Sequence, residues 1–162
     1  MCKSTKSTFV TAPFHFITSK RLFPNAKIPQ ASLPLCCKDF IKEYVDTGKV
    51  RFVWKDYPFF GQESVWAAAA ARCAGDQGKF WEYHDYLYSH QNGENQGGFS
   101  DPNLKSFAKI LGLNTLSFDK CLDGNKYTKA VTDSKNEGTL AGVSGTPKGF
   151  ILVNGKIVST ID

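Results

Sequence analysis

Apolar and polar positions repeat with two different periods along this chain, and the changes of period mark out its elements. Over residues 36–46 (CCKDFIKEYVD), Phe40, Ile41, Tyr44 and Val45 share one helical face, and Thr47-Gly48 supplies the stop. Val50 to Asp56 (VRFVWKD) reads as a strand, apolar at 50, 52 and 54, with Val53 apolar on the other face. Apolar groups on both faces predict a central strand covered from both sides. Gln62 to Ala74 then predicts a helix around the Ala67–Ala71 run, ended by Gly75. Lys79 to His90 predicts another, because Phe80, Tyr83, His84 and Leu87 fall at i, i+3, i+4 and i+7.

Residues 91–99 are polar and Gly-rich and predict a loop. Asp101-Pro102 reads as N-cap and first residue of a helix carrying Leu104, Phe107, Ala108 and Leu111, closed by Gly112. A short helix with Phe118, Cys121 and Leu122 follows, then one from about Lys126 to Ala141. Asn154-Gly155 between Phe150–Val153 and Lys156–Ile161 is a strong hairpin signal. Strand, helices and hairpin together predict a small sheet with a helical insertion at about 62–141, an α/β domain without internal repeats.

The front of the chain follows neither period. Residues 1–38 hold eight Ser or Thr and four of the seven prolines (Pro13, Pro24, Pro29 and Pro34), and this proline spacing forbids a continuous helix. Phe9 to Ile17 is the one stretch able to form a strand, and Pro13 predicts an edge or a bulge for it. The expected division is therefore a divergent, poorly ordered segment at 1–37 and a domain at 38–162. A basic, acid-free start also fits the composition of an organellar transit peptide, whereas a secretory leader would need an apolar core that is missing.

Charge sharpens this division. The net charge of +5 comes from the front, where Lys3, Lys6, Lys20, Arg21, Lys27 and Lys38 precede the first acid, Asp39. The rest holds 14 basic and 15 acidic residues, so no basic surface for nucleic acid is expected on the domain. At 162 residues, 41% of them apolar, the chain suffices for one domain with a real core, and no run is long enough for a membrane-spanning helix.

Three stretches together resemble the DsbA-like thioredoxin-fold family of thiol–disulfide oxidoreductases. They are Tyr44 to Pro58 (YVDTGKVRFVWKDYP), Ala67 to Leu87 (AAAAARCAGDQGKFWEYHDYL) and Gly142 to Gly155 (GVSGTPKGFILVNG), with Phe118 to Leu122 (FDKCL) as a weaker fourth. The resemblance spans about 38–162. It implies a thioredoxin-like fold with a helical insertion between the central strand and a cis-proline hairpin. It further implies disulfide chemistry on protein substrates, in an exported or periplasmic setting, with a redox partner protein and no cofactor. The family's first strand is not recognisable. Ala26-Lys27-Ile28-Pro29 stands where its Cys-x-x-Cys is expected, and no Cys-x-x-Cys occurs in the chain. Asp162 follows directly on the hairpin, where the family adds a final helix.

A Cys-x-x-Cys at a helix start works because the helix dipole and free N–H groups lower the first thiol's pKa. Cys36 and Cys37 are the only close pair among the five cysteines, and they are the candidate catalytic thiols, with two idle thiols as the alternative. Adjacent cysteines close only a strained eight-membered ring. In the family, the residue before the cis-proline presents its backbone to an extended peptide, which assigns substrate binding to Thr146 and Pro147; an ordinary trans proline is the alternative. The resemblance also implies a structural disulfide between Cys73 and Cys121, with two buried free thiols as the alternative. His84, Trp66 and Trp81 read as packing residues. No metal site is expected, since the three histidines are scattered. The rival readings are a peptide-binding module without catalysis and an inactive fragment with exposed sheet edges.

Overall fold

The computed structural model describes residues 13–18, 41–146 and 148–161. Four strands form one sheet: β1 (Pro13–Thr18), β2 (Arg51–Asp56), β3 (Lys148–Val153) and β4 (Lys156–Ile161), in the order β2-β1-β3-β4. A π-helical turn, Ile41–Val45, precedes β2. Between β2 and β3 run five helices: α1 (Gln62–Gly75), α2 (Phe80–Ser89), α3 (Asp101–Ile110), α4 (Thr115–Asp123) and α5 (Thr128–Leu140).

The Ala67–Ala71 run explains why α1 lies at the centre of the helical layer. With small side chains, and exposures between 0% and 5%, α1 lets α2, α4 and α5 approach closely on several sides. Tyr83, Leu87, Leu104, Ala108 and Phe118 close the main core around it. The helix runs one residue past its predicted end. The chain turns at Gly78, whose φ of 71° suits glycine, and the Lys79 amide bonds back to the Ala74 carbonyl at 3.0 Å. At α3 the cap is Ser100 rather than Asp101, so Pro102 is the second helical residue, still within the turn that needs no amide donors. Asn114 caps α4 by accepting from the Ser117 amide at 2.9 Å. Trp66 departs from the packing role expected of it. It lies on the outer side of α1 and is 41% exposed, whereas its neighbours Ala67 and Ala70 are fully buried.

Two strand expectations are corrected. Pro13 predicts an edge or a bulge for Phe9 to Ile17, yet β1 pairs in continuous register on both sides, lying between β2 and β3, antiparallel to the first and parallel to the second. Pro13 is its first residue and its register with β3 begins at Phe14, so the missing amide falls outside that ladder. Conversely β2, expected at the centre, forms one edge of the described sheet. Its two apolar faces arise from helices on both sides. Trp54 packs edge-on against Trp81 and His84 of α2, while Lys55 pairs at 2.6 Å with Glu137 of α5. Covering by helices makes an edge strand as apolar as a central one. The hairpin turn is as predicted, with positive φ at Asn154 (50°) and Gly155 (77°), as a two-residue turn of this hand requires.

Candidate functional site

The sheet register sets the location of the site. Pro13 opposes Asp56 and Phe14 opposes Lys148, so the start of β1, the end of β2 and the start of β3 share one end of the sheet. The loop from Gly142 to Lys148 enters the sheet there. Past the end of α5 the chain turns at Gly142, with a φ of 81°, and the Val143 amide bonds to the Gly138 carbonyl at 2.9 Å. Val143 is buried and packs with Tyr57 and Phe150, while Ser144 and Gly145 are exposed and Thr146 is half-buried. Of the residues named from the sequence, Thr146 is therefore on this loop, half-buried. Pro147, Cys36 and Cys37 lie outside the described residues.

Beneath this end of the sheet is a buried charge. Asp56, 1% exposed, accepts from Arg72 Nε at 2.6 Å through Oδ2 and from Trp54 Nε1 at 3.2 Å through Oδ1. Both carboxylate oxygens are thus partnered, the condition under which a buried charge is tolerated. Trp54, Asp56, Arg72, Phe80, Trp81 and Tyr127 line a cavity of about 370 Å³. Burial first, and the Asp56 carboxylate second, push the Tyr88 phenol far above its ordinary pKa. His84 is packed among aromatic rings, with Trp54 at 4.3 Å and Tyr88 at 4.5 Å between centroids. Its Nδ1 lies 2.9 Å from Asp85 Oδ1, and its buried Nε2 has no hydrogen-bond partner.

Cys73 on α1 and Cys121 on α4 are joined by a disulfide, with Cα atoms 5.9 Å apart and 48 positions of sequence between them. Both residues are buried in the helical core. Asp76 Oδ2 lies 3.8 Å from the Cys121 sulfur, which as a bridged sulfur has no proton to donate. The same carboxylate accepts from Lys126 Nζ at 2.7 Å and from Tyr127 Oη at 2.6 Å. Partial burial acts to raise the Asp76 pKa, but these two donors outweigh it and hold the group below its ordinary value. Among the described residues, no three His, Cys, Asp or Glu side chains converge as metal ligands.

At this end of the sheet the loop carries the exposed Ser144 and Gly145, and its buried first residue, Val143, is held by Tyr57, which follows the buried Asp56 in sequence. The pattern reading passed over Tyr57, Asp56 and Arg72 as site residues. An acid closing a strand whose other charged residues, Arg51 and Lys55, are basic, followed by Tyr57-Pro58, is the signal for the first two. Nothing local marks Arg72.

Comparison with known proteins gives the following. A family model described as thioredoxin matches residues 34–162. A "Probable disulfide bond formation protein D" of Bacillus cereus is 27% identical over 122 residues, which is 73% of this chain and 56% of that protein. "Na(+)/H(+) antiporter NhaA 1" of Salinispora arenicola is 34% identical over 113 residues, covering 68% of this chain and 16% of the antiporter. The chain thus spans about one sixth of the antiporter and little more than half of the disulfide bond formation protein. Among solved structures, the thiol-disulfide exchange protein alpha-DsbA2 of Wolbachia pipientis superposes with a TM-score of 0.55 at 22% identity, covering 85% of this chain and 69% of that one. The fold is therefore thioredoxin-like. Among the described residues, no helix is long and apolar enough to cross a membrane.

Proposed function

This chain belongs to the thioredoxin family, in its DsbA-like branch, and from that membership we propose that it carries out thiol–disulfide exchange on protein substrates. The domain is residues 38–162 with its helical insertion at about 62–141. An extended substrate segment lies along Ser144 to Pro147 and takes backbone hydrogen bonds from Thr146, as strand-addition recognition does. Cys36 or Cys37 is the attacking thiol. The observation that supports the reading most directly is the exposed pair Ser144 and Gly145, between the buried Val143 and the half-buried Thr146, at the sheet end where three strands meet.

The chemistry is of the single-thiol kind. A cysteine thiolate attacks one sulfur of a substrate disulfide, forming a mixed disulfide and releasing the other substrate sulfur as thiolate. A second substrate thiolate then attacks the mixed disulfide and regenerates the cysteine. Two bonds form and two break, with no net oxidation, so the outcome is rearrangement of substrate disulfides. The Cys36-Cys37 spacing disfavours an internal disulfide, the step that would oxidise the chain and release the substrate reduced to thiols. Net oxidation or reduction would instead require a dithiol redox partner protein. The working environment is an exported or periplasmic one, oxidising enough for Cys73–Cys121 to persist.

The test is reactivation of scrambled ribonuclease A by the wild-type chain and by the Cys36→Ser/Cys37→Ser variant. Reactivation by the first and not the second is expected. Equal rates with both would overturn the assignment of the thiols. One sequence fact favours a second reading, a peptide-binding module without exchange: no Cys-x-x-Cys occurs in the chain. That reading expects both proteins to bind unfolded chains equally well and neither to reactivate the ribonuclease.

A further inference from the structure

We infer that Tyr57 is a positioning residue, holding the start of the substrate loop through its hydroxyl; the inference rests on the peptide-binding part of the function proposed above. Tyr57 follows the last residue of β2 and is 8% exposed. Its ring packs with Val143 and Phe150, and its Oη donates to the Val143 carbonyl at 2.8 Å, across 86 positions of sequence. The Thr139 hydroxyl is 3.3 Å from the same Oη and itself donates to the Lys135 carbonyl at 3.1 Å. The phenol's single proton is therefore committed to Val143.

The result is a residue fixed at every polar backbone atom. The Val143 amide is held by Gly138, its carbonyl by Tyr57, and its side chain is 4% exposed. The next backbone tied into regular structure is Lys148, opposite Phe14 in β3. Between these anchors lie four residues, which span at most about 14 Å when extended. That is enough to present one short strand to a peptide, and too little to wander once both ends are fixed. A loop held in this way loses less conformational freedom on binding, so the tether is worth affinity. Packing alone would need only the ring; the hydroxyl is what reaches the loop.

The experiment uses the full chain and, as probe, fluorescein-labelled α-lactalbumin that has been reduced and carboxymethylated, so that it is extended and cannot exchange disulfides. Binding is read by fluorescence anisotropy, and amide exchange is read by mass spectrometry. Tyr57→Phe keeps the ring and removes the donor; it is expected to weaken binding about fivefold, the worth of one hydrogen bond. Exchange over Ser144–Thr146 is expected to speed up, with α1 and α2 unchanged. Thr139→Val, which leaves the tether in place, is expected to bind as wild type does. Gly142→Ala strains the same anchor through the backbone at a φ of 81°, with nothing near its new Cβ, and decides the matter if Tyr57→Phe fails to fold. It too is expected to weaken binding. Wild-type binding with either folded loop variant unchanged would overturn the positioning role and leave the proposed function standing. Exchange that accelerates equally throughout the chain would overturn it as well, marking Tyr57 as merely structural. A wild-type chain that fails to bind the probe takes down the peptide-binding reading and the positioning role together.

Discussion

The helical layer and the sheet of this protein are built to different standards. In the layer, Ala67, Ala70, Tyr83, Leu104, Ala108 and Phe118 are all completely buried, and a disulfide ties α1 to α4. In the sheet, among the described side chains, Asp56 and Phe150 are buried to 1% and 2%, whereas Val153, Ile157 and Val158 on the last hairpin are 44%, 49% and 59% exposed. The candidate site lies between the two, on a loop that leaves α5 and enters β3. Its fixed end therefore draws on the tightly packed side, through Gly138 and Val143, and its open end belongs to the looser one. Stability and accessibility are separated in space, as a binding loop on a firm scaffold requires.

The largest test of that contrast is the disulfide. Closing a loop of 48 positions is worth about 4 kcal/mol in the chain-entropy account. Cys73→Ser/Cys121→Ser is expected to lose about that much in urea unfolding without reductant. Adding a dithiol to the wild type is expected to bring it to the same midpoint. Amide exchange should then quicken in α1 and α4 and hardly at all in β4, which is already the looser part. A uniform loss of protection across layer and sheet would mean that the two form one cooperative unit, and the comparison would fail.

Arg72→Met is expected to come next. It leaves the Asp56 carboxylate, 1% exposed, without the guanidinium that accounts for one of its oxygens. Breaking a buried pair from one side costs about 3–5 kcal/mol, and Arg72 is partly exposed, so the loss expected is at the lower end. The double variant Asp56→Asn/Arg72→Met removes the stranded charge and should recover part of it. Because Asp56 closes β2 just before Tyr57, the single variant should also loosen the Gly142–Thr146 loop in amide exchange. A stability loss confined to α1 would detach the buried pair from the site.

What the sequence made legible follows the same line between local and distant causes. Helices α1 to α5 were visible because their apolar spacing and their terminators sit within a few residues of one another, as Phe80, Tyr83, His84 and Leu87 do. The Asn154-Gly155 turn was visible because two residues specify its hand. The place of β2 in the sheet was not, since Trp54 and Lys55 have α2 and α5 over them, and helices cover an edge strand as they would a central one. The site's supports were equally hidden: Asp56 meets Arg72 at a separation of 16, and Tyr57 meets Val143 at 86. Trp66 was misjudged by composition, because being aromatic did not reveal that it lay one step off the buried row of α1. Pro13 misled because its position within the strand, first rather than interior, decides whether its missing amide matters.

The smallest effect expected concerns Asp76, at the open edge of the helical layer beside the disulfide. Its pKa is held below the ordinary carboxylate value in the folded chain, because the donors Lys126 and Tyr127 outweigh the effect of partial burial. A carboxyl with a depressed folded pKa contributes stability that is fully present above its unfolded value and lost as pH falls through the folded one. The Asp76–Lys126–Tyr127 cluster should therefore support the layer at neutral pH and let go below about pH 4, where Asp76 begins to take up a proton in the unfolded chain. Asp76→Asn is expected to lower the melting temperature slightly at pH 7. Little difference should remain between variant and wild type at pH 2. Because the group is largely exposed, added salt should shrink the neutral-pH difference as well. An Asp76→Asn effect that persists at pH 2 would show that the contact with Cys121 acts through packing. The edge of the layer would then be as firmly built as its centre.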